Sequence, residues 1–171
     1  DVGEIETLIG AQLELARAQE REAAETIDID ALLNDLIEAT EAQSPGHTRL
    51  RAAGTACHAA VAPMALRRIL GNLLENALRY GGPGRLELVR RCCAGAIRIG
   101  VRDRGPGIPA ELREAVFRPF FRLDPSRNRA TGGSGLGLAI ARQLADTQGW
   151  RVALKPRVGG GTSVWLAIPV N

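Results

Sequence analysis

The sequence predicts an α/β chain, with helices and strands in alternation after one further helix at the N-terminus. Three observations carry this. Residues 63 to 80 repeat apolar side chains at helical spacing, through Leu66, Ile69, Leu70, Leu73 and Ala77. Ile97, Ile99 and Val101 alternate with polar positions in a strand period, and so do Thr162, Val164, Leu166 and Ile168. Residues 1 to about 24 form an apolar stripe of seven-residue repeats.

Composition narrows the function classes. The chain has 171 residues, which suits one main domain plus a small appendage. A net charge of +3 with a pI near 9.1 is too mild an excess to argue for a nucleic-acid partner. Cys57, Cys92 and Cys93 make an odd count, and no second Cys/His pair stands at metal-ligand spacing. That pattern predicts a reducing compartment and inert thiols. His47 and His58 stand alone and read as surface or structural residues. No apolar run approaches a membrane span, and no signal peptide is present. The chain opens at Asp1 without a Met, as expected of a cut-down chain.

In order, the N-terminal helix repeats Val2, Ile9 and Ala16, then Leu8 and Leu15, with Ile5 and Leu13 widening the stripe. Such a face suits a multi-helix bundle. Thr26 to Asp30 reads as a short strand, with Asp30 capping a helix from Leu32 to Thr40. Ser44-Pro45-Gly46 is a turn, and residues 48 to 61 hold one or two short strands. Pro63 starts the next helix, which Gly81-Gly82-Pro83 closes after Tyr80. Asn72, Asn76 and Tyr80 share a second face of it, beside Glu75 and Arg79. Two Asn cost helix propensity, and amide oxygens one turn apart suit a hard cation such as Mg²⁺. The plain alternative is a solvated polar face.

Strands follow near Arg85 to Arg91 and Ala96 to Asp103. Asp103 continues the core-facing parity of Ile97, Ile99 and Val101, and an inward carboxylate needs hydrogen-bond donors. Followed by Arg104-Gly105-Pro106-Gly107-Ile108-Pro109, it is either a seat for a flat base with an exocyclic amine or the cap of its own Asx turn. Glu111 to Val116 reads as a short helix. Phe117-Arg118-Pro119-Phe120-Phe121-Arg122 holds every Phe of the chain, as a small plug or a satellite core. Leu123 to Gly135 is polar and Gly-rich, as a lid over a ligand would be.

Gly133, Gly135 and Gly137 then run into a helix carrying Leu136, Ile140 and Leu144. Close backbone approach beside the positive end of a helix makes a polyphosphate cradle. No Gly-Lys-Ser/Thr follows, so this is not a Walker A loop. Its G-x-G-x-G spacing is not a dinucleotide fingerprint either. Arg151 to Pro156 and Thr162 to Pro169 close the chain as a hairpin around Gly159-Gly160-Gly161, with Thr162 pointing inward.

NLLENALRY, DRGPGIP, FRPFFR, GGSGLGL and GGGT, in this order, resemble the N, G1, F, G2 and G3 boxes of the ATP-binding domain of bacterial sensor histidine kinases. The osmosensor-like subgroup is the most similar. That domain shares a superfamily with gyrase, chaperone and mismatch-repair ATPases, and the Phe box favours the kinase branch. The resemblance covers residues 27 to 171 as the ATP-binding catalytic domain. Residues 1 to 24 resemble the second helix of the dimerisation and phosphotransfer hairpin.

The resemblance implies a two-layer α/β sandwich, a mixed sheet covered by helices. It implies ATP and Mg²⁺, with Asn76 as metal ligand, and Asn72 and Arg122 as catalytic residues near the phosphates. Arg79 and Tyr80 would flank the nucleotide, and Asp103 would accept from the adenine amino group. Gly105 and Gly107 would shape the base pocket, and Ile108 and Phe120 would also contact the nucleotide. Gly133, Gly135 and Gly137 would cradle the phosphates, with Leu136 and Leu138 between and after them also at the nucleotide and Thr162 beside the adenine. The partners implied are a hairpin carrying the phosphoacceptor His, a response regulator and, at full length, a second copy. No nucleic acid is expected. The implied location is cytoplasmic, in a protein anchored in a bacterial inner membrane.

Neither His47 nor His58 lies in an acceptor box, so the acceptor His is expected to be missing from this chain. In the hydrolytic branches a Glu precedes the metal-binding Asn by one turn, where this chain has Asn72. A hydrolytic ATPase and a non-catalytic nucleotide module gating a dimer are the alternative readings.

Overall fold

The computed structural model describes residues 2–46, 48–53, 55–123 and 133–170. The chain runs α1 (Val2–Arg17), β1 (Glu25–Asp28), α2 (Ile29–Gln43), β2 (Thr48–Ala53), β3 (His58–Val61), α3 (Pro63–Tyr80), β4 (Leu86–Cys93) and β5 (Ala96–Arg102). Two single 3₁₀ turns follow, Ala110–Leu112 and Ala115–Phe117, and then α4 (Gly137–Gln148), β6 (Arg151–Pro156) and β7 (Thr162–Pro169). His47 and residues 124–132, most of the expected lid, lie outside the described residues.

Leu66, Ile69, Leu70 and Leu73 of α3 are fully buried, as helical spacing places them on one face. They share a core with Leu88, Ile97, Ile99 and Leu166, which alternate along the strands. The five-stranded sheet has the order β2-β4-β5-β7-β6. β2 and β4 are parallel and the other pairs antiparallel, so the sheet is mixed as expected. β1 and β3 pair separately, antiparallel. No described helix is long and apolar enough to cross a membrane.

Four local expectations need correction. The first helix stops at Arg17 rather than near residue 24, because the following segment is held by the domain. Ala18 is fully buried, and its carbonyl accepts from Thr147 Oγ1 at 2.9 Å. Asp28, not Asp30, caps α2, accepting from Asp30 N and Ala31 N at 2.9 and 3.2 Å. Asp30 instead pairs with the buried Arg90 at 2.5 Å. The expected helix from Glu111 to Val116 is only the two 3₁₀ turns, since Pro109 and Pro119 confine it. Finally, Cys57 and Cys92 are disulfide-bonded, and only Cys93 is a free, exposed thiol. Cys57 enters β3 and Cys92 lies on β4, so the pairing joins residues 35 apart that share no local pattern.

The segment after α1 also caps α3. Ala62, the N-cap residue, offers no side-chain bond. Glu22 supplies it, its carboxylate accepting from Met64 N at 3.0 Å and Ala65 N at 2.7 Å. A carboxylate there satisfies two unpaired amides and faces the positive helix end. Glu22→Ala is therefore expected to lower stability by about 1–2 kcal/mol. Thermal unfolding checks this, and a melting temperature within a degree of native would rule the cap out as a stabilising contact.

Candidate functional site

A cavity of about 750 Å³ opens between α3, the turn after β5, the start of α4 and the inner face of α1. α3 contributes Asn72, Asn76, Arg79 and Tyr80, all in one cavity wall. Neither Asn amide bonds to a described residue, so both oxygens remain available to a ligand. Arg79 pairs with Glu75 at 3.0 Å. Glu75 also lines the cavity.

Asp103 is buried at the end of β5, as its strand parity requires. Its Oδ1 accepts from Gly105 N at 2.9 Å and Thr162 N at 3.1 Å, and Asp103 N donates to Thr162 O at 2.9 Å. The Asx-turn reading is thus correct as far as it goes. It occupies one carboxylate oxygen and leaves Oδ2 with no hydrogen bond from a described residue. Thr162, Gly107 and Ile108 line the same end of the cavity. Gly105 backs Asp103 instead of lining: a Cβ there would meet Tyr80 O at 2.8 Å, so only a glycine lets the turn close on α3.

At the opposite end, Gly135, Leu136, Gly137 and Leu138 line the cavity where α4 begins. Gly137 lies against the Asn72 side chain, its ideal Cβ position 3.6 Å from Oδ1. Arg122 lines the cavity and donates to Gly133 O. Gly133 is buried behind Arg79 and Tyr80 and does not line it.

Phe120 is also displaced from the expected lining. It has φ 63°, the one positive value among the described non-glycine residues, and its N–H donates to Gly135 O at 2.9 Å. That turn leaves Phe120 exposed and puts Phe121 in the cavity wall. Phe117 is buried under the guanidinium of Arg142, 3.9 Å from its ring centre. The three Phe therefore divide between core, surface and cavity.

Sequence reasoning missed Gly10, Ala11 and Glu14, which line the cavity from α1. Ala11 is almost fully buried, whereas Ile5, Leu8, Ile9 and Leu13 are about half exposed on the other side of the helix. The apolar stripe pointed to the outward face. The cavity-facing side carries Gly10, Ala11 and Glu14, two small residues and a charge, which give little hydrophobic signal.

A model of the family described as histidine kinase-, DNA gyrase B- and HSP90-like ATPase matches residues 61–171. The chain belongs to that family. This ATPase-family domain is 37% identical over 171 residues to the sensor histidine kinase GtrS of Pseudomonas aeruginosa, covering 99% of this chain and 34% of GtrS. It is 35% identical over 174 residues to the sensor protein RstB of Escherichia coli, covering 99% and 40%. The chain thus spans well under half the length of these relatives. Among solved structures, full-length ShkA in complex with AMPPNP superposes with a TM-score of 0.81 at 25% identity, covering 98% of this chain and 36% of ShkA. The mycobacterial sensor histidine kinase MprB superposes at 0.71 and 26% identity, covering 86% and 98%.

Proposed function

We propose that this domain binds Mg²⁺-ATP and donates the γ-phosphoryl group to a His on a dimerisation hairpin, for relay to a response regulator. The observation that carries the reading is the two-ended cavity. At one end stands a buried carboxylate with one oxygen already held by two amides. At the other stand glycines at a helix start, with Asn72 against Gly137, and Asn76 and Arg122 line the same cavity. An acceptor oxygen suits the amino group of adenine, and the glycine end suits phosphates. The AMPPNP in the structurally similar ShkA supports this occupant.

Asn76, with Asn72 one turn away, would hold Mg²⁺; their neutral, hard oxygens fit a cation that also takes phosphate ligands. When bound, the metal supplies charge neutralisation at the phosphates. The chain's own residues orient the nucleotide. Arg122 offers charge near the γ-phosphate, and Asp103 fixes the base end. Transfer breaks the bond from the γ-phosphorus to the bridging oxygen and forms a phosphorus–nitrogen bond to imidazole, with ADP leaving. The partner hairpin helix would pack on the exposed stripe of Ile5, Leu8, Ile9 and Leu13, a face wide enough for a bundle seam. Full-length chains would pair through such hairpins and be anchored in a bacterial inner membrane.

The test is addition of a hairpin carrying its His, with radiolabelled ATP. Acid-labile, base-stable label on the hairpin is expected, and it should be lost when Ile9→Glu charges the stripe while ATP binding persists. Nucleotide binding with no label on the hairpin would favour a module that only gates a dimer.

A further inference from the structure

Behind Asp103 lies a buried ion-pair cluster whose charged side chains do not line the cavity. Arg157, in the β6–β7 turn, and Glu87, on β4, are both buried, and the Arg157 side chain is only 3% exposed. Arg157 Nη2 donates to Glu87 Oε2 at 2.9 Å, and Arg157 Nη1 donates to the main-chain oxygen of Asp103 at 2.9 Å. Glu87 also pairs with Arg49 at 3.0 Å and Arg102 at 3.4 Å, so one carboxylate gathers guanidinium groups from β2, β5 and the closing hairpin. Burial lowers the pKa of Arg157, and the charge of Glu87 opposes the shift.

We propose that Arg157, held by Glu87, is a positioning residue for base recognition by Asp103. The inference rests on the nucleotide reading of the cavity. The geometry gives the reason. Asp103 N is held by Thr162 O, and Asp103 O is held by Arg157. That carbonyl belongs to the peptide leading to Arg104 and Gly105, and Gly105 N holds the Asp103 carboxylate. With Arg157 in place, the peptide cannot rotate without breaking a buried charge-assisted bond. The Gly105 amide therefore stays aimed at Oδ1, and Oδ2 stays aimed at the ligand. Gly161, at φ 97°, makes room for this arrangement: a Cβ there would stand 2.1 Å from Asp103 O.

A buried Arg–Glu pair could instead serve stability alone, and the experiment separates the two. Calorimetry on the whole chain measures affinity for ATP and for purine riboside triphosphate, which lacks the 6-amino group. Native protein should prefer ATP by about tenfold or more, the worth of one charge-assisted bond. Arg157→Ala should cut that preference to about twofold or less while leaving purine riboside triphosphate affinity near native. Should Arg157→Ala fail to fold, Glu87→Gln, which keeps shape but loses the charge holding Arg157, should shift the ratio in the same direction. An unchanged ratio in the folded variant, or an equal fall for both nucleotides, overturns the positioning role. A native protein without ATP preference, or one whose preference survives Asp103→Ala, instead sinks the base reading itself and the proposal with it.

Discussion

Asn76→Ala is expected to abolish Mg²⁺-dependent ATP binding and to lower phosphoryl transfer to an added hairpin by about a thousandfold, the order of a lost metal contact. Asn76 lies in the cavity wall with its amide unbonded to described residues, so truncation removes a ligand and no structural contact. Ala is also the better helix former, so α3 should be no less stable. That combination, a more helical and inactive protein, is what separates a metal ligand from a packing residue. Transfer within threefold of native would sink the assignment. The same assay bears on hydrolysis. Asn72 cannot act as a general base, and Glu75, which could, is exposed and paired with Arg79 at 3.0 Å. Phosphate release by the chain alone should therefore be slow. Rapid release that disappears in Asn76→Ala would favour a hydrolytic ATPase.

Asp103→Ala is expected to weaken ATP binding more than tenfold, because a buried charge-assisted hydrogen bond contributes about 1.5–3 kcal/mol. The alanine variant also strips the acceptor from Gly105 N and Thr162 N, so part of its effect is loss of fold stability. Asp103→Asn is the cleaner test. Its amide oxygen can still accept from both main-chain groups, while its NH₂ presents a donor where the adenine amine needs an acceptor. Affinity should fall as far as in Asp103→Ala, with a melting temperature closer to native. Unchanged affinity in a folded Asp103→Asn protein would remove Asp103 from base recognition.

What the sequence by itself determined is what repeats at short range. The period of Leu66, Ile69, Leu70 and Leu73 specified α3, because four apolar side chains on one helical face have to be buried. Strand parity turned Asp103 and Thr162 inward, since side chains two apart share a face. The order of five short boxes carried the family, which the match over residues 61–171 shows.

Only the tertiary structure decided the contacts between distant residues. Glu22 caps a helix that starts 41 positions later, where no side chain at the N-cap itself serves. Cys57 meets Cys92 because β2 inserts beside β4 and brings the start of β3 with it. Arg157 reaches Glu87 across 70 residues and anchors a carbonyl that no side-chain pattern mentions. Phe121 rather than Phe120 enters the cavity because one residue takes a left-handed conformation against Gly135. Each is a pairing made by chain crossing, with no period along the sequence. The free energy that selects it exists only once the sheet order has put the partners within hydrogen-bond or van der Waals reach.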